Sequence, residues 1–351
     1  MNPETVQEIG WVPRKESLAI PNDSLLPGCE LLEQEKLRTE VIARLLENRL
    51  EPETELIESK VAVLRHVPGK RCNFRIELKI RLAPGAPIRV RLLVGKIYAQ
   101  DHGANVHSML RKFERHGFAT GRFRVPEPLA YEPRWKLLVL GWAEGTLLRS
   151  LILENLDGAR RMDDAANWLL KFHQCGVNTG RRYTLRRHLQ TLAGRASALA
   201  NAHPQRASLI DGVLRRIEDR GTRLSGWAPG PTHRDFSPDH LVFGEGRVTG
   251  LDFDEFRQYD PMFDVAHFMA HLRLLGLRHF GDYSRFDHFA QIFRTAYKTG
   301  AREFSEERVR FYQAVAYFKL ACIVGLVVRP SDWKGPVEVF LRDAERELRH
   351  L

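Results

Sequence analysis

The chain has 351 residues, of which 43% are hydrophobic and 28% charged, and its formal net charge is +10 at pH 7. This length allows two packed lobes or domains, and the composition is that of an ordinary soluble globular protein. No membrane partner is expected, because the longest apolar run, Leu320–Val328, is far too short to span a bilayer. No signal peptide is expected, because Met1–Gly10 is polar and acidic. The cysteines have no paired spacing, which predicts reduced thiols in the cytoplasm and no zinc site; they are Cys29, Cys72, Cys175 and Cys322.

The positive net charge admits nucleic acid or anionic ligands as partners. The basic residues are widely spread, however, and only Arg181–His188 forms a dense run, which we interpret as a solvated helix face. No basic stretch is interleaved with aromatic residues as in a base-stacking platform. A nucleic-acid partner is therefore not expected.

The first part of the chain predicts a helix followed by a sheet. The segment up to Pro27 has no clear period and is expected to wrap the surface or to be partly disordered. Glu30–Leu50 carries apolar residues at helical spacing, which predicts an amphipathic helix. Three antiparallel strands joined by tight Pro-Gly turns are predicted next, over Glu55–Arg65, Cys72–Leu82 and Ile88–Tyr98.

The next segment alternates between helix and strand. We predict a helix over His107–His116 and further strands over Arg124–Ala130 and Trp135–Leu140. After Gly145 the chain is mainly helical. The predicted helices are Asp163–Cys175, His188–Ala200, Ala207–Arg220, Met262–Leu275, Phe289–Lys298, Glu306–Val328 and Pro336–Arg349.

The most informative stretch is Thr232–Asp254, which reads THRDFSPDHLVFGEGRVTGLDFD. Leu241–Phe243 and Val248–Leu251 predict the two strands of a hairpin. Such a hairpin brings Asp235 and Asp252 to the same end of a small sheet. Two adjacent carboxylates suit divalent metal binding and proton handling. In the alternative interpretation, Asp235 is a turn residue and Asp252 is a buried, paired acid.

Three motifs in this part of the chain resemble those of the aminoglycoside phosphotransferase and choline kinase group of small-molecule kinases. The first is His233-Arg234-Asp235 with His240 five residues after the aspartate. The second is Leu251-Asp252-Phe253-Asp254. The third is Asp260–Ala266, which reads DPMFDVA. The resemblance extends by motif over about Val61 to Ala270.

The resemblance implies an α+β, bilobal protein-kinase-like fold, with an N-terminal antiparallel-sheet lobe and a larger, mainly helical C-terminal lobe. Residues 1–140 would form the nucleotide-binding lobe, including the N-terminal extension and the helix at 30–50. Residues 141–146 would connect the lobes, and residues 147–351 would form the helical catalytic and substrate-binding lobe. The oligomeric state cannot be read from the sequence.

The resemblance also implies transfer of the γ-phosphate of ATP to the hydroxyl of a small molecule, with Mg²⁺ as cofactor. Asp235 would be the catalytic residue that accepts or orients the hydroxyl proton. Asp252 would hold Mg²⁺. Asp254 is a further candidate ligand or substrate contact, because alternation along an extended chain would turn it to the same side as Asp252.

The nucleotide-binding residues are implied in the same way. Lys96, in an apolar strand, would position the α- and β-phosphates, the alternative being an outward-facing lysine on an edge strand. The turn before Cys72 would cover the phosphates with its backbone N–H groups and its two cations, an exposed basic turn being equally open. The two cations of the turn are Lys70 and Arg71. Glu114, on the predicted helix, would pair with Lys96, a solvent-facing glutamate being the alternative. Trp142 and Ala143, after the last strand, would offer backbone groups to adenine, which is compatible with their being a plain linker.

Two further side chains are expected to be structural. His173 lies near the end of a packed helix, and we interpret it as a structural residue rather than a catalytic one. Asp260 and Asp264 are expected to anchor the catalytic loop and cap the helix that follows.

The main departure from the family pattern is His240, where asparagine is usual. Imidazole is a poor Mg²⁺ ligand. Three outcomes are open: His240 bonds Asp252 or a metal-bound water, Asp239 takes over as a ligand, or the second metal site is weak. The last outcome gives the alternative function, a weak or inactive kinase-like nucleotide-binding protein. Because Leu272–Ala301 contains several arginines and few acids, a neutral or anionic acceptor is favoured over a cationic one.

Overall fold

The computed structural model describes residues 17, 19–154, 157–328 and 334–351. Most of the N-terminal segment, whose path the sequence left open, therefore lies outside the described residues. The chain divides into two compact units, the first ending at Glu144 and the second beginning at Gly145. The first contains an antiparallel sheet and the second is mainly helical, so the α+β class is confirmed.

The first unit is built on a five-stranded antiparallel sheet. Its strands are β1 (Glu55–Val67), β2 (Arg71–Arg81), β3 (Ile88–Tyr98), β5 (Pro128–Glu132) and β6 (Leu137–Gly141), in the order β1-β2-β3-β6-β5, and a two-residue strand β4 (Phe123–Arg124) precedes β5. The helices are α1 (Gly28–Glu33), α2 (Glu35–Leu46) and α3 (His102–Phe113). The three strands predicted first are confirmed to within two residues at each end.

The single helix predicted over Glu30–Leu50 is wrong in its continuity. The chain leaves helical geometry at Gln34, with φ −96° and ψ 89°, and a 3₁₀ turn over Glu47–Arg49 follows α2. Both helices bury apolar side chains against the same core as the sheet, so apolar spacing continues across the break and conceals it. The helix predicted over His107–His116 begins earlier, at His102, and gives way after Phe113 to an irregular turn that contains Gly117 at φ +89°.

The second unit contains eight helices among its described residues. They are α4 (Leu148–Leu153), α5 (Gly158–Gln174), α6 (Leu185–Ala202), α7 (Ala207–Arg223), α8 (Met262–Phe280), α9 (Asp287–Gly300), α10 (Glu306–Ile323) and α11 (Lys334–Arg349). Each of the seven predicted helices is present, with shifted ends. The short strands are β7 (Thr146–Leu147), β8 (Gly230–Thr232), β9 (Leu241–Gly244), β10 (Arg247–Gly250) and β11 (Arg257–Tyr259).

The basic run Arg181–His188 is not a single solvated helix face. Helix α6 begins only at Leu185, where the Thr184 hydroxyl accepts the backbone N–H of Arg187 at 3.2 Å. His188 is 6% exposed, and its Nδ1 lies 3.1 Å from the hydroxyl of Tyr259. The run therefore combines exposed arginines with two buried side chains, Tyr183 before the helix and His188 in its first turn.

An aromatic cluster forms the core beneath the predicted catalytic stretch. The ring of Trp168 on α5 stacks on Phe172 at 5.2 Å and on Phe236 at 5.5 Å, and it lies 6.2 Å from Phe253. Phe236 directly follows Asp235, and Phe253 directly follows Asp252. The residues next to the two carboxylates are thus fixed in one packed core.

One stretch of the described chain, Glu306–Leu326, is long and apolar enough to cross a membrane. However, 83% of its apolar window is buried inside the folded chain, as in the core helix of a globular protein. The four cysteines are free thiols, as predicted. Among the described residues, no group of three or more His, Cys, Asp or Glu side chains forms a metal-binding cluster.

Candidate active site

The predicted hairpin is confirmed, and it sets the position of Asp252. Strands β9 and β10 pair antiparallel from Gly244–Arg247 to Leu241–Gly250. One further hydrogen bond, from the N–H of Leu251 to the carbonyl oxygen of His240 at 2.8 Å, extends the ladder past the strands. Asp252 therefore leaves the hairpin directly beside His240.

His240 lies between the two carboxylates. Its Nδ1 is 2.7 Å from the backbone carbonyl oxygen of Asp235, and its Nε2 is 3.7 Å from Oδ2 of Asp252. Because a carbonyl oxygen only accepts, Nδ1 carries the proton in the neutral ring, and the Nε2 lone pair faces Asp252. Asp239 is ion-paired with Arg149 at 2.6 Å instead. Nε2 of His240 makes no hydrogen bond to Asp252 at this distance, and the outcomes left open for His240 stay open.

His233 ties the Asp235 loop to the end of the hairpin. Its Nε2 lies 2.8 Å from the carbonyl oxygen of Leu251, so Nε2 donates, and Nδ1 accepts the N–H of Asp235 at 3.3 Å. The side chain is fully buried. Burial, and then the charge of His240, lower the pKa of His233, which keeps this donor–acceptor pattern in place at neutral pH.

Asp264 anchors the same loop from helix α8, as predicted. Its carboxylate accepts the backbone N–H of His233 at 2.7 Å and that of Arg234 at 2.8 Å. The same group accepts from Nε2 of His173 at 3.0 Å, and Nδ1 of His173 lies 2.7 Å from the hydroxyl of Tyr297. His173 is therefore a structural residue, as the sequence indicated. Asp260 caps α8 by accepting the N–H of Met262 at 3.0 Å.

Arg234 occupies a backbone conformation that favours glycine. Its φ is +67°, which costs a residue with a Cβ atom about 1–2 kcal/mol. The side chain makes contacts that offset this cost. The guanidinium stacks 3.6 Å from the ring centre of Tyr183 and pairs with Glu255 at 3.2 Å.

The expectation for Asp254 assumed that the chain is extended from Asp252 onwards, and that assumption is wrong. Asp252 has a left-handed backbone, with φ +57°, and Phe253–Glu255 form a 3₁₀ turn. Strict alternation of side chains therefore stops at Asp252, and Asp254 is 5% exposed. The inference that Asp254 points the same way as Asp252 loses its basis.

The structure places three further side chains near Asp235 that the motifs did not indicate. Nε2 of His267, on α8, lies 3.8 Å from Oδ1 of Asp235. The ammonium of Lys319, on α10, lies 3.2 Å from the same Nε2, and the ring of His271 stacks on His267 at 4.2 Å. The spacing of His267 and His271, one helical turn apart, could have indicated this cluster from the sequence. Lys319 could not have been found in this way, because the pattern of its helix predicts only a core helix.

Basic groups around this loop hold the pKa of Asp235 low. Burial acts to raise the pKa of Asp235, but His240, Lys319 and His271 together bring it below its ordinary value of 3.8. Burial lowers the pKa of Lys319 to about 8, with Asp235 opposing the shift. The pKa of His271 falls to about 4 through burial, so this ring is neutral at pH 7.

In the first unit, Lys96 lies on a central strand. Lys96 pairs with Asn73 of β2 on one side and with Leu138 of β6 on the other. It is 6% exposed. The alternative of an outward-facing lysine on an edge strand is therefore excluded. At the preceding Gly95, a Cβ atom would lie only 2.2 Å from the ring of Phe74, so the strand packs closely at this position.

The turn that carries Lys70 and Arg71 differs from the expectation in its backbone. The N–H of Gly69 donates to the carboxylate of Asp23 at 2.8 Å, and the N–H of Lys70 donates to the carbonyl oxygen of Val67 at 3.0 Å. These two N–H groups are used inside the unit, so the prediction that they face phosphates is wrong for them. The cationic side chains stay candidates.

The remaining predicted nucleotide-binding residues of the first unit are Glu114, Trp142 and Ala143, and they differ in their contacts. Glu114 pairs with Arg111 at 2.8 Å, and burial raises the pKa of Glu114; its pairing with Lys96 stays a prediction. Trp142 and Ala143 follow β6, are half-buried and lie outside regular structure. Their backbone groups make no hydrogen bond to another described residue, and the adenine-binding role stays a prediction.

Solved structures share this fold. A thermostable mutant of aminoglycoside phosphotransferase APH(4)-Ia, in ternary complex with AMP-PNP and hygromycin B, matches with 14% identity and a TM-score of 0.56, over 88% of this chain and 97% of that one. Spectinomycin phosphotransferase APH(9)-Ia, in complex with ADP and spectinomycin, matches with 12% identity and a TM-score of 0.55, over 89% and 94%. The GDP and kanamycin complex of an APH(2")-III-type enzyme matches with 14% identity and a TM-score of 0.57, over 87% and 99%.

The fold is thus the bilobal protein-kinase-like fold, as the sequence predicted. No curated protein sequence matches the chain. The sequence model of the phosphotransferase enzyme family matches residues 90–312. The chain therefore belongs to the phosphotransferase enzyme family.

Proposed function

We propose that the protein is an ATP-dependent phosphotransferase that moves the γ-phosphate of ATP to a hydroxyl of a small molecule. The observation that carries the proposal is the ionised carboxylate of Asp235 on a loop fixed by Asp264 and His233. Asp252 lies on the other side of His240 from this carboxylate. Family membership supports the same reaction class.

Asp235 would accept or orient the proton of the acceptor hydroxyl. A carboxylate that stays ionised at neutral pH and whose backbone is held by two hydrogen bonds is prepared for this role. Transfer of a phosphoryl group depends mostly on positioning and electrostatic stabilisation, so one well-placed carboxylate is sufficient on the acceptor side.

For the nucleotide, we propose the first unit as the binding lobe, with residues 141–146 as its connector to the helical lobe. Lys96 would hold the α- and β-phosphates, and Trp142 and Ala143 would meet the adenine through their backbone. Lys70, Arg71 and Glu114 are the secondary candidates. Relatives of the same fold were solved with AMP-PNP, ADP and GDP, which supports a purine nucleotide as the donor.

Of the two residues considered as metal ligands, Asp252 suits Mg²⁺ and His240 does not. Mg²⁺ is usually held by one or two carboxylates together with phosphate oxygens and water, so no complete protein cage is required. Asp252, whose side chain is 17% exposed, fits this pattern. His240 offers a nitrogen that Mg²⁺ accepts poorly. We propose Asp252 as the Mg²⁺ residue, and a metal there would neutralise phosphate charge.

The second candidate function is a nucleotide-binding protein with weak or no turnover. The observation that favours it is the imidazole of His240 at the position where the family usually has asparagine, with its Nε2 directed at Asp252. For both candidate functions, we propose that the protein is cytoplasmic and binds a small-molecule ligand.

The deciding experiment measures ADP formation with Mg²⁺ and a panel of hydroxyl compounds, together with AMP-PNP affinity. Asp235→Asn should reduce turnover at least about 100-fold while AMP-PNP affinity is retained. Asp219→Asn, at an exposed ion pair with Arg223, is the matched control. Binding of AMP-PNP with equal ADP formation in the wild type and Asp235→Asn would favour the second candidate. Failure to bind AMP-PNP at all would overturn both.

A further inference from the structure

Lys319 presents an ammonium beside Asp235 that lacks a full set of partners. Among the described residues, its one hydrogen-bond partner is Nε2 of His267 at 3.2 Å, and no carboxylate lies within the 4.0 Å of an ion pair. An ammonium has three N–H donors, so two of them have no partner among the described residues. Because Lys319 is half-buried and its ammonium bonds no anion, this arrangement is a candidate anion site.

The imidazole next to Lys319 is fixed as an acceptor. Nδ1 of His267 lies 3.0 Å from the carbonyl oxygen of Phe236, so Nδ1 carries the proton and Nε2 accepts from the ammonium. His267 itself is fully buried. The Lys319 side chain is therefore held by a neutral partner, and Asp235, which attracts it, does not contact it directly.

His271 adds a second polar group without a partner. Its Nε2 is buried and makes no hydrogen bond to any described residue. The ring stacks on His267 at 4.2 Å, one helical turn away on α8. The acids that act on Lys319 and His271 are Asp235, Asp239 and Glu255, and the basic groups Arg195, Arg234 and His240 oppose them.

We propose that Lys319, with His271 beside it, binds a compact anionic group of the acceptor, a carboxylate or a phosphate monoester, next to the hydroxyl that Asp235 orients. The proposal rests on the proposed function, because it names the substrate class of that same site. An ammonium-bearing acceptor is disfavoured here, since it would meet Lys319 at short range.

A matched set of three-carbon compounds tests the proposal with the full chain. The set is glycerate, glycerol phosphate, glycerol and 2-amino-1,3-propanediol, which differ mainly in the charged group. Each compound is titrated in the absence of nucleotide, by calorimetry and by the NMR signals of the His267 and His271 rings. The variants are Lys319→Met and, as a control for loss of an exposed lysine on α9, Lys298→Met.

We expect at least one of the two anions to bind about tenfold or more tightly than glycerol and to shift the His271 signal. The aminodiol should bind most weakly. Lys319→Met should remove the preference, and Lys298→Met should keep it. Which anion binds more tightly separates a carboxylate from a phosphate acceptor.

Three results would overturn the proposal. These are equal or tighter binding of the neutral or aminodiol compound, unchanged anion binding in Lys319→Met, and no response of wild-type protein to either anion. A rise of KM for ATP alone in Lys319→Met would assign the lysine to the transferred phosphate and would also overturn it. Failure of the proposed function is recognised separately, because ADP formation and AMP-PNP binding do not enter these titrations.

Discussion

Nε2 of His240 lies 3.7 Å from Oδ2 of Asp252, while Nδ1 of the same ring donates to the backbone of Asp235. A single imidazole thus links the catalytic loop to the end of the hairpin that carries the predicted metal ligand. The asparagine usual at this position would contribute an amide oxygen instead. If Asp252 holds the metal as proposed, we expect the identity of this one side chain to control which metal is preferred.

His240→Asn should strengthen the dependence on Mg²⁺. An amide oxygen is a better Mg²⁺ ligand than imidazole, so we expect the Mg²⁺ concentration for half-maximal turnover to fall about tenfold. The wild type should be inhibited by Zn²⁺ at a lower concentration than the variant is, because imidazole suits that metal better than an amide oxygen does. Metal titrations of ADP formation measure both effects. The control is His240→Ala, and equal behaviour of the Asn and Ala variants would contradict the prediction.

Asp264→Asn should destabilise the second unit and impair turnover together. The substitution removes the charge that accepts two backbone N–H groups and His173. Breaking a buried network of this kind costs about 3 kcal/mol of unfolding free energy. Urea denaturation measures the loss. Asp219→Asn, whose ion pair with Arg223 is exposed, should cost less than about 1 kcal/mol. Similar losses in the two variants would refute an anchoring role for Asp264.

Arg234 separates backbone strain from side-chain contacts. Arg234→Ala keeps the left-handed backbone but loses the contacts with Tyr183 and Glu255, so it should be the least stable form. Arg234→Gly loses the same contacts and removes the strain, and it should be about 1 kcal/mol more stable than Arg234→Ala. Denaturation of the three forms in parallel measures the order. An alanine variant as stable as the glycine variant would show that no strain is stored at this position.

Lys319 should make stability depend on alkaline pH. Burial lowers its pKa from 10.5 to about 8 in the folded chain, against the attraction of Asp235. Between these two values the unfolded chain holds more protons, so the free energy of unfolding contributed by this residue rises as pH increases from about 8 to about 10.5. The sign is that of a buried cation, whose cost disappears once it is neutral.

Comparison with Lys319→Met isolates this effect from the other groups that titrate. The variant should show a smaller rise, or a steeper fall, of unfolding free energy across the same interval. Denaturation at several pH values between 7 and 11 gives the two curves. Curves that run parallel would mean that the ammonium is not buried in the folded protein.

The parts of the fold and site that could be predicted are those that short-range sequence patterns determine. The hairpin β9–β10 follows from two apolar runs around a Gly-Glu-Gly turn, and Asp264 lies in a motif close to the loop that it anchors. The expectation for Asp254 lost its basis because the left-handed backbone of Asp252 ends the extended alternation, and nothing in the local sequence signals this.

Lys319 could not be found from the sequence for a different reason. Helix α10 is apolar on nearly all faces, so a lysine within it reads as a residue that reaches solvent. Its approach to His267 and Asp235 arises from the packing of α10 against α8, which is a long-range contact. Residues brought together only by tertiary packing carry no spacing signal.

Gly250 tests whether the packing beneath the hairpin fixes the position of Asp252. A Cβ atom at Gly250 would lie 2.1 Å from the indole of Trp168, which is itself held between Phe172 and Phe236. Because the stacked rings cannot withdraw, Gly250→Ala should cost about 1–3 kcal/mol of unfolding free energy. It should also reduce turnover, since Asp252 follows two residues later.

The matched control is Gly212→Ala, because Gly212 lies within helix α7 and a Cβ atom there would meet nothing within 4 Å. That variant should be more stable than the wild type by up to about 1 kcal/mol and should keep its turnover, since alanine favours the helix. Thermal and urea denaturation, with ADP formation measured on the same samples, distinguish the two glycines. A Gly250→Ala protein with wild-type stability and turnover would mean that the indole of Trp168 moves aside. The aromatic core would then not fix the position of the hairpin relative to the loop that carries Asp235.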